Sequence, residues 1–399
     1  MINRQFHKSI ISYKNLTMRT KLHLLTILLG SCLQIFAQTP VKLSSGQFGF
    51  AEGPVWDRDD KIYFSDIQTR KVEIYSITDN TFSTAYTATG RTNGLMFDKD
   101  MNLIVCEFQR GEVTEKTTTG VLLETYANGF TNPNDLCIDK EGGIYVSTPN
   151  TKEIYYISPE PNRTKTLIDN TLNFPNGVII SNDGKTLIVS DSQSYDIYKF
   201  DINPSTGLIS NKSVFATLTD YDNTDTRSLA DGMAIDTNGN LYVTAKKSLQ
   251  IFDASGTKIN SIAFDENITN CTFGGSDLST LFVTAPNDFY KIDFTGVTGF
   301  QHPFDLPESS LSLDKNEKYS FNIFPNPSAD HIVNIEVGNT EIDEIILYNN
   351  LGAKIGSYNF ERFNNSIKVD LGTNLKSNIY ILTLTTKDGS AVHNKIVLK

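Results

Sequence analysis

Histidine is scarce in this sequence, and none of its 5 histidines lies between His23 and His302. A serine or cysteine nucleophile needs a neighbouring base, which is usually histidine, so the gap argues against a nucleophilic triad in this stretch. Cysteine is also rare. Beyond residue 37 it occurs only at Cys106, Cys137 and Cys271, an odd number scattered through strand-like segments. We expect small core residues and no disulfide framework.

The sequence also lacks an excess of basic residues and a long apolar run. Its net charge of -11 gives no basic field for nucleic acid or anionic lipid, so neither partner is expected. Residues 22–36 form an apolar run that follows Arg19 and Lys21 and is too short for a stable membrane span. We predict a signal peptide over residues 1–37, with Met18 as a possible true start. A short membrane anchor, or lipidation at Cys32, is the alternative.

One pattern recurs along the chain: a short apolar strand, a turn with Asp, Asn or Gly, and a second apolar strand. The second strands begin at Ile62, Leu103, Ile144, Leu187, Leu241 and Leu281. Successive starts are 41, 41, 43, 54 and 40 residues apart, which fits one four-stranded propeller blade per repeat and no 3.6-residue helical period. The sequence therefore predicts an all-β chain whose residues 38–300 form a six-bladed β-propeller.

Ten or eleven residues before each second strand stands an acid or an amide. We call these six positions the ring residues: Glu52, Asn93, Asn134, Asn176, Asp231 and Asn270. Innermost propeller strands line a central channel, so equivalent positions are expected to form a ring around its axis. Asn-Gly and Asp-Gly are also strong hairpin-turn signals. Most repeats have a turn further on, however, and Glu52 is not a turn former, so a functional ring is favoured.

Six oxygen donors, two of them carboxylates, suit one divalent metal. Ca²⁺ is the best match, with Mg²⁺, Mn²⁺ or Zn²⁺ as alternatives. The longest interval between repeats contains the polar stretch 220–227, which we expect in a loop near the site. Residues 301–318 read as a linker. Alternating strand patterns then predict a small β-sandwich over residues 319–399.

The propeller region resembles the gluconolactonase, senescence-marker-protein and luciferin-regenerating-enzyme family over about residues 43–294. The resemblance rests on Glu52-Gly-Pro-Val-Trp56, Asn134-Asp135, Pro175-Asn-Gly177, Asp231-Gly-Met233 and Thr269-Asn-Cys-Thr-Phe-Gly-Gly275. It implies hydrolysis of sugar-type lactones by metal-activated water. It also implies metal ligation by Glu52, Asn176, Asp231 and Asn134. Asp231 is the expected general base, and Asn134 is expected to orient the substrate.

Substrate contacts are expected from Asn93, Asn132 and Asn270. Two departures affect this shell: Asn132 stands where mammalian-type members have arginine, and Thr148-Pro149 stands where bacterial lactonases often have an acid. Two other functions stay open at this point. One is a non-catalytic propeller that binds a glycan or a protein with a structural metal, and the other is hydrolysis of other esters at the same metal.

The carboxy-terminal region resembles the sorting domain of the Bacteroidetes type IX secretion system. The resemblance rests on Phe324-Pro-Asn-Pro-Ser328, Leu347-Tyr-Asn-Asn-Leu-Gly352, Asn378-Ile-Tyr-Ile-Leu382 and Lys395-Ile-Val-Leu-Lys399. It implies a protein that reaches the cell surface or the medium through the periplasm, with the type IX machinery as a partner. The predicted signal peptide agrees with this route.

Overall fold

The computed structural model describes residues 38–87, 90–219, 226–307, 319, 321–349, 354–387 and 391–399. The predicted signal peptide lies outside these ranges. The chain divides into two compact units, Met1–Glu308 and Ser309–Lys399. Both are built from β-strands, so the predicted all-β class is confirmed. Within the described ranges, no helix is both long enough and apolar enough to cross a membrane.

The first unit contains six antiparallel sheets of four strands each among its described residues. The first three sheets are β2 (Ala51–Trp56), β3 (Lys61–Asp66), β4 (Lys71–Ser76) and β5 (Thr81–Thr87); β6 (Thr92–Phe97), β7 (Leu103–Glu107), β8 (Glu112–Lys116) and β9 (Leu122–Asn128); and β10 (Leu136–Ile138), β11 (Ile144–Thr148), β12 (Glu153–Ile157) and β13 (Lys165–Asp169). A short 3-10 helix, Pro149–Thr151, joins β11 to β12.

The remaining three sheets continue the series and bring the two ends of the unit together. They are β14 (Pro175–Ile180), β15 (Thr186–Asp191), β16 (Asp196–Ile202) and β17 (Ile209–Thr217); β18 (Met233–Ile235), β19 (Leu241–Ala245), β20 (Ser248–Phe252) and β21 (Lys258–Ala263); and β22 (Asn270–Gly274), β23 (Thr280–Thr284), β24 (Phe289–Asp293) and β1 (Val41–Lys42). Val41 pairs with Lys291 across the last sheet. The first and last strands of the unit thus share one sheet.

The first strands of the six sheets contact one another in a closed circle. β2 touches β6, β6 touches β10, β10 touches β14, β14 touches β18, β18 touches β22, and β22 touches β2. A narrow cavity of about 70 Å³, which we call the channel cavity, is lined by residues from all six of these strands or the positions just before them. The second strands are almost wholly buried, because neighbouring sheets cover both of their faces. This burial explains their continuous apolar runs in the sequence.

Residues 301–307, at the start of the predicted linker, pack against the first unit. His302 is 8% exposed, and its Nε2 lies 2.7 Å from the carbonyl oxygen of Ile180. The Nη1 of Arg58 donates a hydrogen bond to Gln301 Oε1 at 3.1 Å, and Leu306 joins a buried cluster with β14 and β15 residues. Gln301 and His302 also line the channel cavity. This segment therefore closes part of the channel, and the rest of the predicted linker lies outside the described residues.

The second unit consists of two four-stranded antiparallel sheets around one apolar core. The strands are β25 (Asn322–Phe324), β26 (Ile332–Glu336), β30 (Ser366–Asp370) and β29 (Phe360–Phe363) in one sheet, and β28 (Lys354–Ser357), β27 (Ile342–Asn349), β31 (Asn378–Thr386) and β32 (Ala391–Leu398) in the other. Val333 and Val369 from one sheet share a buried cluster with Leu347 and Leu382 from the other. Alternation of buried and exposed residues along β30 fits a sheet with one face on that core.

Candidate metal centre

The six ring residues lie next to one another around the circle of first strands. In four sheets the following residue is glycine, and its backbone touches the next ring residue. A Cβ would lie 2.4 Å from Asn93 O at Gly53, 2.8 Å from Asn134 O at Gly94, 2.3 Å from Asp231 O at Gly177 and 1.9 Å from the Asn270 amide at Gly232. Two hydrogen bonds bridge the other gaps: Asn270 Nδ2 to Glu52 Oε2 at 3.1 Å, and Val178 N to Asp135 Oδ2 at 3.4 Å.

Irregular strand pairing sets the direction of several ring side chains. The register between first and second strands shifts between Glu52 and Val55, between Thr92 and Leu95, and between Pro175 and Val178. These shifts bracket Asn93 and Asn176, and Glu52 stands at the edge of the first. Bulges of this kind turn a side chain away from the regular alternation of a strand and are common beside functional sites. Asn134 and Asp231 instead precede β10 and β18, outside the regular pairing.

Hydroxyl groups tie the ring to the neighbouring sheets. Ser65 Oγ donates to Asn93 O at 2.6 Å, and Ser190 Oγ donates to Asp231 O at 2.8 Å. Thr244 Oγ1 donates to Thr269 O at 2.8 Å, and Thr269 Oγ1 donates to Ala51 O at 2.7 Å. Ser65, Ser190 and Thr244 each occupy the fourth position of the repeated second strand. A recurring hydroxyl in the sequence was therefore a signal for residues that hold the ring.

Two ring carboxyls face each other. Glu52 is 3% exposed, and its carboxyl group interacts with the half-buried Asp231 carboxyl. Burial raises the pKa of Glu52 to about 8. Burial, followed by the charges of Glu52 and Asp135, raises the pKa of Asp231 well above its usual range. Two neighbouring like charges, one buried and one half-buried, favour either a shared proton or a bound cation.

A third acid, Asp135, interacts with both Glu52 and Asp231; the sequence analysis named it only as part of the Asn134-Asp135 motif and did not predict it as a site residue. It follows Asn134 at the position that is glycine in four other sheets, and burial raises its pKa to about 7. Its carboxylate accepts the backbone N–H of Leu136 at 2.9 Å and lines the channel cavity. The departure from glycine at this position was the signal available in the sequence.

Two amide oxygens of the ring lack partners among the described residues. Asn93 Oδ1 and Asn176 Oδ1 are buried and accept no hydrogen bond there. Asn176 Nδ2 donates to Ser192 Oγ at 3.1 Å, and Ser192 Oγ donates onward to Ala230 O at 2.5 Å. The amide nitrogen is thus fixed and the oxygen is left available. A buried acceptor without a donor costs about 1–3 kcal/mol, so such atoms call for a ligand.

The donor set fits a hard divalent cation. The described residues contain no cluster of three or more His, Cys, Asp or Glu side chains suited to a metal. The ring offers instead two paired carboxyls, Glu52 and Asp231, with the unpartnered oxygens of Asn93 and Asn176 nearby. Carboxylate and amide oxygens are the ligands that Ca²⁺ prefers. A cation of charge +2 would offset the repulsion between the two carboxylates.

The other predicted contact residues differ in position. Asn134 is half-buried at its ring position, with its carbonyl oxygen accepting the backbone N–H of Gly94 at 2.7 Å. The Asn132 side chain instead ties two loops together. Its Nδ2 donates to Phe108 O and its Oδ1 accepts from Asn150 Nδ2, both at 3.0 Å. Asn132 therefore lies in the loop before the ring and not in it.

A second cavity reaches the ring from the side where the chain enters the first strands. We call it the mouth cavity; its volume is about 150 Å³, and it is lined by Phe174, Asn176, Ser192, Gln193, Arg227, Leu229 and Asp231. The channel cavity is lined by the ring residue Asn270, by residues that follow the other ring positions and by His302. A small molecule in the mouth cavity would therefore meet Asn176 and Asp231 directly.

Comparison with known proteins gives matches over both units. Residues 50–287 match the SMP-30/Gluconolactonase/LRE-like region, and residues 322–399 match a secretion system C-terminal sorting domain. A pentonolactonase of Haloferax volcanii is 25% identical over 243 residues, which are 58% of this chain and 80% of that protein. The sorting domain indicates secretion by the type IX system, so the protein is extracellular or attached to the cell surface.

Solved structures are similar in fold to the first unit. A gluconolactonase from Xanthomonas campestris has a TM-score of 0.57 and 25% identity, covering 66% of this chain and 93% of its own. Regucalcin of Agrobacterium tumefaciens, described as a calcium-binding protein, has a TM-score of 0.55 and 17% identity, covering 65% of this chain and 96% of its own. The chain belongs to the SMP-30/gluconolactonase/LRE-like family and carries a secretion-system sorting domain at its carboxy terminus.

Proposed function

We propose that the protein is a secreted, metal-dependent lactonase that hydrolyses sugar-type lactones at the ring. The observation that carries the proposal is the facing pair of Glu52 and Asp231 carboxyls beside the unpartnered Asn176 oxygen, open to a cavity of small-molecule size. Lactonases among the chain's relatives support the reaction class. The open mouth cavity favours catalysis over an ion that serves only to rigidify the channel.

Glu52, Asn176, Asp231 and Asn134 would hold the metal, with Ca²⁺ as the expected ion. When bound there, a divalent cation supplies Lewis acidity that polarises a carbonyl oxygen and lowers the pKa of a water molecule. Asn93 and Asn270 complete the circle and are proposed to contact the substrate. Asn270 also holds the Glu52 carboxyl in place through the bond from its Nδ2.

Asp231 is the proposed general base, because it is the ring carboxyl that borders the mouth cavity. It takes a proton from the attacking water while the oxygen of that water bonds to the lactone carbonyl carbon. The bond between this carbon and the ring oxygen then breaks, and the proton passes to the released oxygen. One lactone and one water give one hydroxy acid. Asn134 and Asn176 orient the substrate carbonyl and hydroxyl groups.

We also propose that the six sheets of the first unit are the blades of a six-bladed β-propeller and that the second unit is a β-sandwich. The closed circle of first strands and the channel cavity support the former. The core shared by two sheets supports the latter. A signal peptide over residues 1–37 and passage through the periplasm of a Bacteroidetes-type cell complete the proposal, with the type IX machinery as partner.

A pH-indicator assay tests the function, because each turnover at neutral pH releases one proton from the new acid. We expect the purified full chain to hydrolyse at least one aldonolactone. A chelator should abolish this turnover, and added Ca²⁺ should restore it. Turnover that survives complete removal of divalent metal would contradict the mechanism. Metal binding without turnover of any lactone would favour a binding propeller instead.

A further inference from the structure

The mouth cavity contains one cationic side chain that the proposed reaction does not use. Among its lining residues, Phe174 and Leu229 are apolar, Ser192 and Gln193 are neutral, and Arg227 carries a positive charge. Arg227 is exposed and has no hydrogen-bond or ion-pair partner among the described residues. Its guanidinium group is therefore available to a ligand in the cavity.

The backbone that follows Arg227 is fixed in place. Ser228 and Ala230 are fully buried. Ser228 Oγ donates to Asp191 O at 3.2 Å, and the backbone N–H of Leu229 donates to Ser192 O at 3.1 Å. Leu229 has a φ of 53°, a conformation that is uncommon for residues other than glycine and persists where the surroundings enforce it. Arg227 thus stands beside an anchored segment at the rim of the cavity.

The charged groups near Arg227 indicate which ligands it can bind. Asp231 and Arg227 are the two charged side chains among the residues that line the mouth cavity, and a divalent cation at the ring would offset the charge of Asp231. A guanidinium group binds carboxylate and phosphate through paired hydrogen bonds, and it does so better than it binds neutral hydroxyls.

We propose that Arg227 selects lactones that carry an anionic group, a carboxylate or a phosphate, in addition to the lactone ring. The inference rests on the proposed function and names the substrate class of the same site. Arg227 pairs with the anionic group at the rim while the lactone carbonyl lies at the ring. A guanidinium that only balanced the charge of the ring would instead affect neutral and anionic lactones alike.

Three substrates and three variants test this role. The substrates are D-galactono-1,4-lactone, which is neutral, D-glucaro-1,4-lactone, which carries a carboxylate, and 6-phospho-D-glucono-1,5-lactone, which carries a phosphate. Arg227→Gln removes the charge, and Arg227→Lys keeps it without the paired donors. Lys247→Gln is the matched control, because Lys247 is an exposed cation in the turn after β19 and does not line the mouth cavity.

We expect the wild-type protein to prefer an anionic lactone, and the preferred one identifies carboxylate or phosphate as the recognised group. Arg227→Gln should raise KM for that lactone about tenfold or more and change kcat about twofold at most, with the neutral lactone and Lys247→Gln unaffected. Arg227→Lys should recover part of the loss. Equal effects on neutral and anionic lactones, or none, would overturn the inference alone. No turnover of any of the three by wild-type protein would overturn the proposed function and the inference together.

Discussion

The two units are built from the same four-stranded antiparallel sheets and differ in what they bury. In the second unit the buried polar residues are Ser328, His331, Thr383 and Thr386 within the described ranges, and no carboxylate is among them. Ser328 and His331 each bond to backbone oxygens. The first unit buries Glu52 against Asp231 and leaves the Asn93 and Asn176 oxygens without donors.

The clearest difference between the units lies at the ring, where two carboxyls interact and two amide oxygens lack donors. One buried carboxylate elsewhere in the first unit, Asp66, accepts the backbone N–H groups of Gly49 and Phe50, both at 3.0 Å. Glu52 accepts its two hydrogen bonds on Oε2 alone, from the backbone N–H of Gly53 at 2.8 Å and from Asn270 Nδ2 at 3.1 Å. A repelling pair held by the fold is a mark of function more than of stability. Among its described residues the second unit buries no such pair, which agrees with a role in sorting and not in catalysis.

The largest expected effect is the loss of catalysis when one charge of the ring pair is removed. Glu52→Gln keeps the side-chain shape but removes one of the two facing charges, so we expect kcat/KM for the preferred lactone to fall by about a thousandfold. Asp343→Asn, an exposed acid on β27 of the second unit, is the control and should retain full activity. The initial rate of proton release measures both. If Glu52→Gln kept more than about a tenth of wild-type activity, the Glu52 charge would not be essential for catalysis and the proposed difference between the units would be wrong.

Metal should stabilise only the first unit. Saturation with Ca²⁺ at about a hundred times its dissociation constant stabilises the form that binds it by about 2.7 kcal/mol. We expect calorimetry of the full chain to show an unfolding transition that moves to higher temperature with Ca²⁺ and another that does not. In the same experiment on Glu52→Gln, neither unfolding transition should move when Ca²⁺ is added. Movement of both transitions in the wild type would contradict the assignment.

Acid should also lower the stability of the first unit, through a buried histidine. Burial lowers the pKa of His302 to about 4, whereas an unfolded histidine titrates near 6.5. The unfolded chain then binds more protons between these values, so stability is complete above pH 6.5 and falls as the pH drops toward 4. Between pH 7 and pH 5 this costs about 2 kcal/mol. Urea unfolding at both pH values should show that His302→Gln loses this part of the dependence.

The smallest effect concerns the hydroxyl groups behind the ring. Ser190 Oγ accepts the backbone N–H of Gly177 and donates to Asp231 O, both at 2.8 Å. Ser190→Ala should cost about 1–2 kcal/mol of stability and weaken Ca²⁺ binding severalfold. Ser357→Ala removes an exposed hydroxyl that binds Glu344 in the second unit, and it should change stability by about 0.5 kcal/mol at most. Calorimetric titration with Ca²⁺ would show whether Ser190 supports the site.

The repeat made much of this arrangement predictable from the sequence. The spacing of the second strands identified the six ring residues, because each of them lies ten or eleven residues before a second strand. Strand pairing between Val41 and Lys291 left no such signal, since two short segments some 250 residues apart meet only when the circle closes. Leu306 likewise follows a stretch that reads as a linker, and only the buried cluster it joins fixes its position.

Residues that break the repeat were the hardest to interpret. Asp135 occupies a position that is glycine in four sheets, and its proximity to Glu52 and Asp231 depends on the closed circle. Arg227 lies in the one interval whose length departs from the rest, so spacing gives it no register. Its place beside the ring follows from the hydrogen bonds that anchor Ser228 and Leu229. Periodicity thus predicts the positions that recur in every repeat, but it does not predict residues such as Asp135 and Arg227 that occur in one repeat only.

Crystals of the full chain grown with Mn²⁺ in place of Ca²⁺ would test the central claim most directly, by anomalous scattering. The account predicts one strong peak per chain in the first unit, within about 2.6 Å of carboxylate oxygens of Glu52 and Asp231 and of Asn176 Oδ1. Crystals of Glu52→Gln should lack that peak. A fully occupied wild-type site elsewhere, or an empty ring in the presence of saturating metal, would contradict the account.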